Sequence, residues 1–91
     1  MAEKHTPNSP SGPIATRLAE VRARITDAAR AAGRPAGSVH LLAVSKTRPA
    51  ADLRAAYAAG QRAFGENYLQ DALTKVEALT DLPDLEWHFI G

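Results

Sequence analysis

The run Leu41-Leu42-Ala43-Val44-Ser45-Lys46-Thr47 decides how this chain folds. Four apolar residues lead to one small polar residue and one amine, and Pro49 follows where a helix's first turn tolerates a missing N–H. A strand buried on both faces of an α/β sheet reads as a near-continuous apolar run. Such folds gather ligands beyond the carboxyl ends of their strands. The run predicts a first strand over residues 39–45 with Lys46 at its end. Lys46 then has two readings. One is an ordinary solvated lysine that closes a strand. The other is an amine partly desolvated behind Leu42 and Val44, able to lose its proton and attack a carbonyl.

Upstream, Ile14, Leu18, Val21, Ile25, Ala28 and Ala32 step by four and three residues along one face of a helix, which Gly33 and Pro35 close. Downstream, Thr47 or a neighbour is the expected cap of a second helix. Leu53, Ala56 and Tyr57 supply its inner face, and Gly60 ends it. Residues 62–66 form a second strand centred on Ala63 and Phe64. Asn67 reads as an N-cap, and Leu69, Ala72, Leu73, Val76 and Leu79 mark the inner face of a third helix. Pro83 breaks the chain before a third strand over residues 86–90.

The order α-β-α-β-α-β predicts an α/β fold with a parallel sheet and right-handed crossovers. The spacing suits a β/α barrel as well as an open sheet. No glycine-rich phosphate loop follows the first strand, which weighs against a dinucleotide fold or a P-loop protein. Residues 1–12, with Pro7, Asn8, Ser9, Pro10, Ser11 and Gly12, offer little to bury and read as a flexible tail. The remainder, residues 13–91, reads as part of one domain. A complete barrel takes roughly 200 residues or more, so the expectation is an incomplete barrel whose open strand edges invite self-association.

Composition narrows the function classes. In 91 residues the net charge is +1, with no basic run, which gives no footprint for nucleic acid or an anionic membrane. The absence of cysteine excludes a disulfide scaffold and a thiolate metal site. No apolar stretch approaches the roughly 18–20 residues of a membrane span, and the N-terminus lacks the apolar core of a secretory signal. The expectation is a soluble, cytoplasmic protein. His5 and His40 are too far apart in the pattern to suggest a metal site.

Three segments, Ala43-Val44-Ser45-Lys46-Thr47, Phe64-Gly65-Glu66-Asn67-Tyr68-Leu69-Gln70 and Trp87-His88-Phe89-Ile90-Gly91, fall in order at the ends of the three expected strands. Together they resemble the pyridoxal-phosphate homeostasis proteins, relatives of the N-terminal barrel domain of alanine racemase. The resemblance runs from about Ile14 to Gly91. It implies the N-terminal part of a (β/α)8 TIM-type barrel, a fold-type III barrel for pyridoxal 5′-phosphate, with the cofactor held as a Schiff base on Lys46. It further implies a carrier that limits the free aldehyde and passes it to pyridoxal-phosphate-dependent apoenzymes, with a monomeric full-length form and no catalytic residue of its own. The phosphate would be held by loops after later strands, beyond Gly91.

Within that resemblance Asn67 could hydrogen-bond the cofactor ring or its O3′ oxygen, or simply cap the third helix. Glu66 could contact the lysine from the rim or serve a structural role. His88, which pleating separates from Trp87 and Phe89, could sit under the cofactor or pack as a satisfied core histidine. Tyr57 reads as a core residue with a wet hydroxyl. Two further readings stay open. One is a pyridoxal-phosphate-dependent amino-acid racemase, which would need a second acid/base group opposite the lysine. The other is a fragment with no activity of its own.

Overall fold

The computed structural model describes residues 12–91; the expected tail over residues 1–12 lies outside the described residues except for Gly12, which opens the first helix rather than a tail. Helix α1 (Gly12–Ala31) is followed by a short 3-10 turn (Ala36–Ser38), β1 (Ala43–Val44), α2 (Ala50–Ala58), β2 (Ala63–Glu66), α3 (Leu69–Ala78) and β3 (Glu86–Phe89). The three strands form one parallel sheet in the order β1-β2-β3. Ala43 pairs with Phe64 and Val44 with Gly65; Phe64 pairs with Trp87 and Gly65 with His88. This is the mixed α/β arrangement that the alternating pattern predicts.

The pleat divides the sheet. Leu41, Ala43, Phe64 and Trp87 face the helices and join a core built on Leu18, Leu53, Ala56 and Leu79. Phe64 is 2 % exposed, and its ring meets Trp87 at 6.2 Å between centroids, tilted by 39°. On the alternate positions, Leu42, Val44, Gly65, His88 and Ile90 lie on the other face. A Cβ on Gly65 would stand 3.2 Å from Ile90 Cδ1 and 3.6 Å from Leu42 Cδ2, so the outer strands close over the middle one.

Four local expectations are corrected. The first strand is Ala43–Val44 rather than residues 39–45; before it, the Leu41 carbonyl accepts from the side-chain amide of buried Gln61. Asn67 does not cap α3: the N-cap is Tyr68, with no side-chain cap bond. Of Thr47 or a neighbour as the cap of α2, Thr47 is excluded: the N-cap is Pro49, two residues on, with no side-chain cap bond. The inner face of α3 is Ala72, Lys75 and Leu79. Leu69, Leu73 and Val76, expected inside, are 58, 49 and 37 % exposed. The helix is rolled so that an amine, rather than the leucine stripe, lies beneath the sheet, because a buried carboxylate waits there for it.

Tyr57 is half-buried, its hydroxyl donating to Asp84 at 2.7 Å and its ring stacked beneath the Arg62 guanidinium. At the same turn Arg22 of α1 donates to the Ala59 carbonyl and to Gln61 Oε1, tying α1 to the segment before β2. Among the described residues no helix is long and apolar enough to cross a membrane.

Candidate functional site

The carboxyl ends of β1 and β2 lie side by side. The ladder continues one residue past β1, with the Ser45 N–H donating to the Gly65 carbonyl at 2.8 Å. Ser45 is 3 % exposed and turns toward the helices, its hydroxyl donating to the Glu66 carboxylate and, more weakly, to the Gly65 carbonyl at 3.3 Å. The chain then doubles back, and the Arg48 N–H meets the Ser45 carbonyl at 3.0 Å. Lys46 sits in this turn, exposed. Among the described residues its amine makes no hydrogen bond or ion pair.

Thr47 next to it has φ of +64°. That left-handed conformation is uncommon for any residue but glycine and an outlier for a β-branched one. Its N–H donates to Asp71 Oδ2 on α3 at 3.2 Å, and its hydroxyl donates to the Lys46 carbonyl at 2.5 Å.

Beneath the turn lies a buried ionic group. Lys75 Nζ donates to the Ser45 carbonyl at 2.5 Å and to Glu66 Oε2 at 2.8 Å, and lies 2.9 Å from Asp71 Oδ2. The hydrogen bond from the Lys75 ammonium holds the Asp71 carboxyl below the usual carboxylate range, and the Thr47 N–H adds to this. Glu66 is 1 % exposed. The structure therefore places its carboxylate behind the sheet against Lys75 and Ser45, not on the rim beside Lys46. Its second oxygen, Oε1, is buried without a partner among the described residues.

Asn67 follows Gly65 by two positions, as Lys46 follows Val44, so the two stand past the ends of paired strands. Asn67 Oδ1 is buried and has no hydrogen-bond partner among the described residues. His88 pairs in register with Gly65, one row earlier, and is about half-exposed, with Nε2 3.5 Å from Glu86 Oε1. The fold thus gathers Lys46 and Asn67 at neighbouring strand ends with His88 on the same open face, and sends Glu66 to the other side. No group of three His, Asp or Glu residues among the described residues is arranged to hold a metal ion.

The sequence reading missed Ser45, Asp71 and Lys75. A signal existed: Ala72, Lys75 and Leu79 are spaced i, i+3, i+7 and share a helix face, but Asp71 and Lys75 at i, i+4 look like a solvated surface pair.

No family model matches the chain. It is 64% identical over 78 residues to the pyridoxal phosphate homeostasis protein of Pseudomonas aeruginosa, covering 86% of this chain and 34% of that one. It is 50% identical over 80 residues to the protein of the same name from Escherichia coli K12, again covering 86% and 34%. Among solved structures it matches PipY of Synechococcus elongatus with pyridoxal phosphate bound, at a TM-score of 0.73 and 52% identity, covering 87% of this chain and 32% of that one. The chain spans about a third of the length of these relatives. Over that third it is similar in sequence and fold to pyridoxal phosphate homeostasis proteins.

Proposed function

We propose that this chain forms the first part of a β/α barrel that holds pyridoxal 5′-phosphate as a Schiff base on Lys46, and that it acts in cytoplasmic cofactor homeostasis as a carrier rather than as an enzyme. The observation that carries the reading is the position of Lys46: an exposed amine, unengaged among the described residues, at the carboxyl end of the first parallel strand. The likeness to PipY, whose structure has the cofactor bound, supports it.

The residues present fit such a ligand. Lys46 would hold the aldehyde carbon. Asn67, with a buried amide oxygen lacking a partner, would meet a polar group of the ring. His88, half-exposed on the same face, would line the floor. Pyridoxal phosphate supplies a reactive aldehyde and an electron-withdrawing ring.

The chain's own part is simple. The Lys46 amine would be the residue that holds the cofactor, supplying the nucleophile for its aldehyde. Arginine in its place would keep the charge and lose the nucleophile. A carrier has no need of a second acid/base group opposite the lysine, and its natural recipients are pyridoxal-phosphate-dependent apoenzymes.

Borohydride trapping tests the reading. After incubation with pyridoxal phosphate, reduction and digestion, the added mass is expected on the Lys46 peptide and to vanish in Lys46→Ala. Labelling scattered over several lysines, and unchanged in that variant, would overturn it. Sustained turnover of an amino acid by the full-length form would overturn the carrier assignment in favour of an enzyme.

A further inference from the structure

We propose that Asp71 is a positioning residue for Lys46: with Lys75 it makes α3 a clamp that holds both neighbours of the lysine and so aims its side chain. The inference rests on the assignment of Lys46 as the cofactor amine. On one side, Ser45 is fixed through its carbonyl by Lys75 and through its hydroxyl by the Glu66 carboxylate. On the other, the Thr47 N–H is held by Asp71 Oδ2. Lys46 lies between two anchored residues and is itself exposed.

The backbone at Thr47 explains why the second anchor is needed. A β-branched residue leaves φ of +64° readily, because its side chain crowds the backbone there. Such conformations persist where the surroundings over-determine them. The Asp71 carboxylate does this with a charge-assisted hydrogen bond, and Lys75, itself 3 % exposed, fixes the carboxylate from 2.9 Å. With the acceptor gone, Thr47 relaxes to negative φ, the peptide between Lys46 and Thr47 rotates, and the amine points elsewhere. Asp71 never touches the ligand in this scheme and acts through Thr47. Its side chain is more than a third exposed, so its removal leaves the buried Lys75–Glu66 contact in place.

The experiment compares wild type, Asp71→Ala, the double variant Asp71→Ala/Thr47→Gly and Lys46→Ala. The rate of borohydride-trapped labelling at the Lys46 peptide is measured alongside thermal melting and, without cofactor, the Thr47 H–N–Cα–H coupling by NMR. Asp71→Ala is expected to melt cooperatively, to shift the Thr47 coupling toward negative φ, and to label Lys46 at least tenfold more slowly. Thr47→Gly is expected to restore most of that rate, because glycine accepts positive φ without steric cost. A wild-type labelling rate in Asp71→Ala, an unchanged coupling, or no recovery on adding Thr47→Gly would overturn the positioning role while leaving Lys46 as the cofactor amine. Absence of Lys46 labelling in the wild type would overturn both.

Discussion

Lys75 Nζ lies 2.8 Å from Glu66 Oε2, and neither side chain is more than 3 % exposed. The pair joins α3 to the end of β2, and the same ammonium reaches the Ser45 carbonyl at the end of β1. Burying two charges is costly, and what makes the arrangement tolerable is that the ammonium has three oxygen partners.

Removing one partner strands the other. Lys75→Met is expected to destabilise the fold by about 3–5 kcal/mol, since it leaves the Glu66 carboxylate buried and unpaired. Urea unfolding checks this. Lys75→Met/Glu66→Gln should cost less than the two single changes added together, and simple additivity would mean the two groups are not coupled.

Acid should loosen the Ser45–Thr47 turn. The Asp71 carboxyl is held below its ordinary range by the Lys75 hydrogen bond, Asp81 by Arg54, and Asp84 chiefly by Tyr57 with help from Arg62. A carboxyl with a depressed folded pKa adds stability above its unfolded value of about 3.9, and that stability is lost as pH falls through the folded pKa. Melting temperature should therefore hold steady with respect to these groups down to about pH 4–5 and drop below it. Asp71→Asn should flatten part of the drop; an identical acid profile in that variant would refute the link.

Gln61 is a second buried polar link, apart from the Lys75–Glu66 group. It is 3 % exposed, donates to the Leu41 and Ala63 carbonyls at 2.8 and 2.9 Å, and accepts from Arg22 at 2.7 Å. Gln61→Ala is expected to cost about 1–3 kcal/mol, because buried partners lose their bonds. Phe64→Ala, which empties the space between the sheet and the helices, should cost about 3–5 kcal/mol. Denaturant titration of both variants would rank them.

Lys46→Ala should separate function from folding. Its side chain is exposed and bonded to nothing among the described residues, so stability should move by no more than about 0.5 kcal/mol, while trapping of pyridoxal phosphate disappears. A large loss of stability would mean that the amine is structural.

Much of the architecture was legible because its signals are local. The apolar run ending at Lys46, the breaks at Gly33, Gly60 and Pro83, and the alternation of Trp87 with His88 each depend on a few neighbouring residues. What stayed hidden was long-range. Leu69, Leu73 and Val76 form the better apolar stripe, and only the Glu66 carboxylate, nine residues before Lys75 in sequence, explains why the helix turns them outward. Asn67 has the residue type of a cap, yet helix α3 begins two residues later, leaving its amide oxygen buried for another use. Before β1, the Leu41 carbonyl takes its partner from a side chain later in the sequence, Gln61.

The strand order also bears on how the chain is made. Among the described residues β2 pairs with β1 and β3 with β2: Phe64 lies 21 positions after Ala43, and Trp87 lies 23 after Phe64. Among these three strands each pairing closes over a short separation, and loop closure there costs little extra entropy. The sheet can therefore be laid down in the order of translation, β2 docking onto β1 and β3 onto β2 as each clears the ribosome. The turn carrying Lys46 would be clamped as soon as α3 emerges, before β3 has been synthesised.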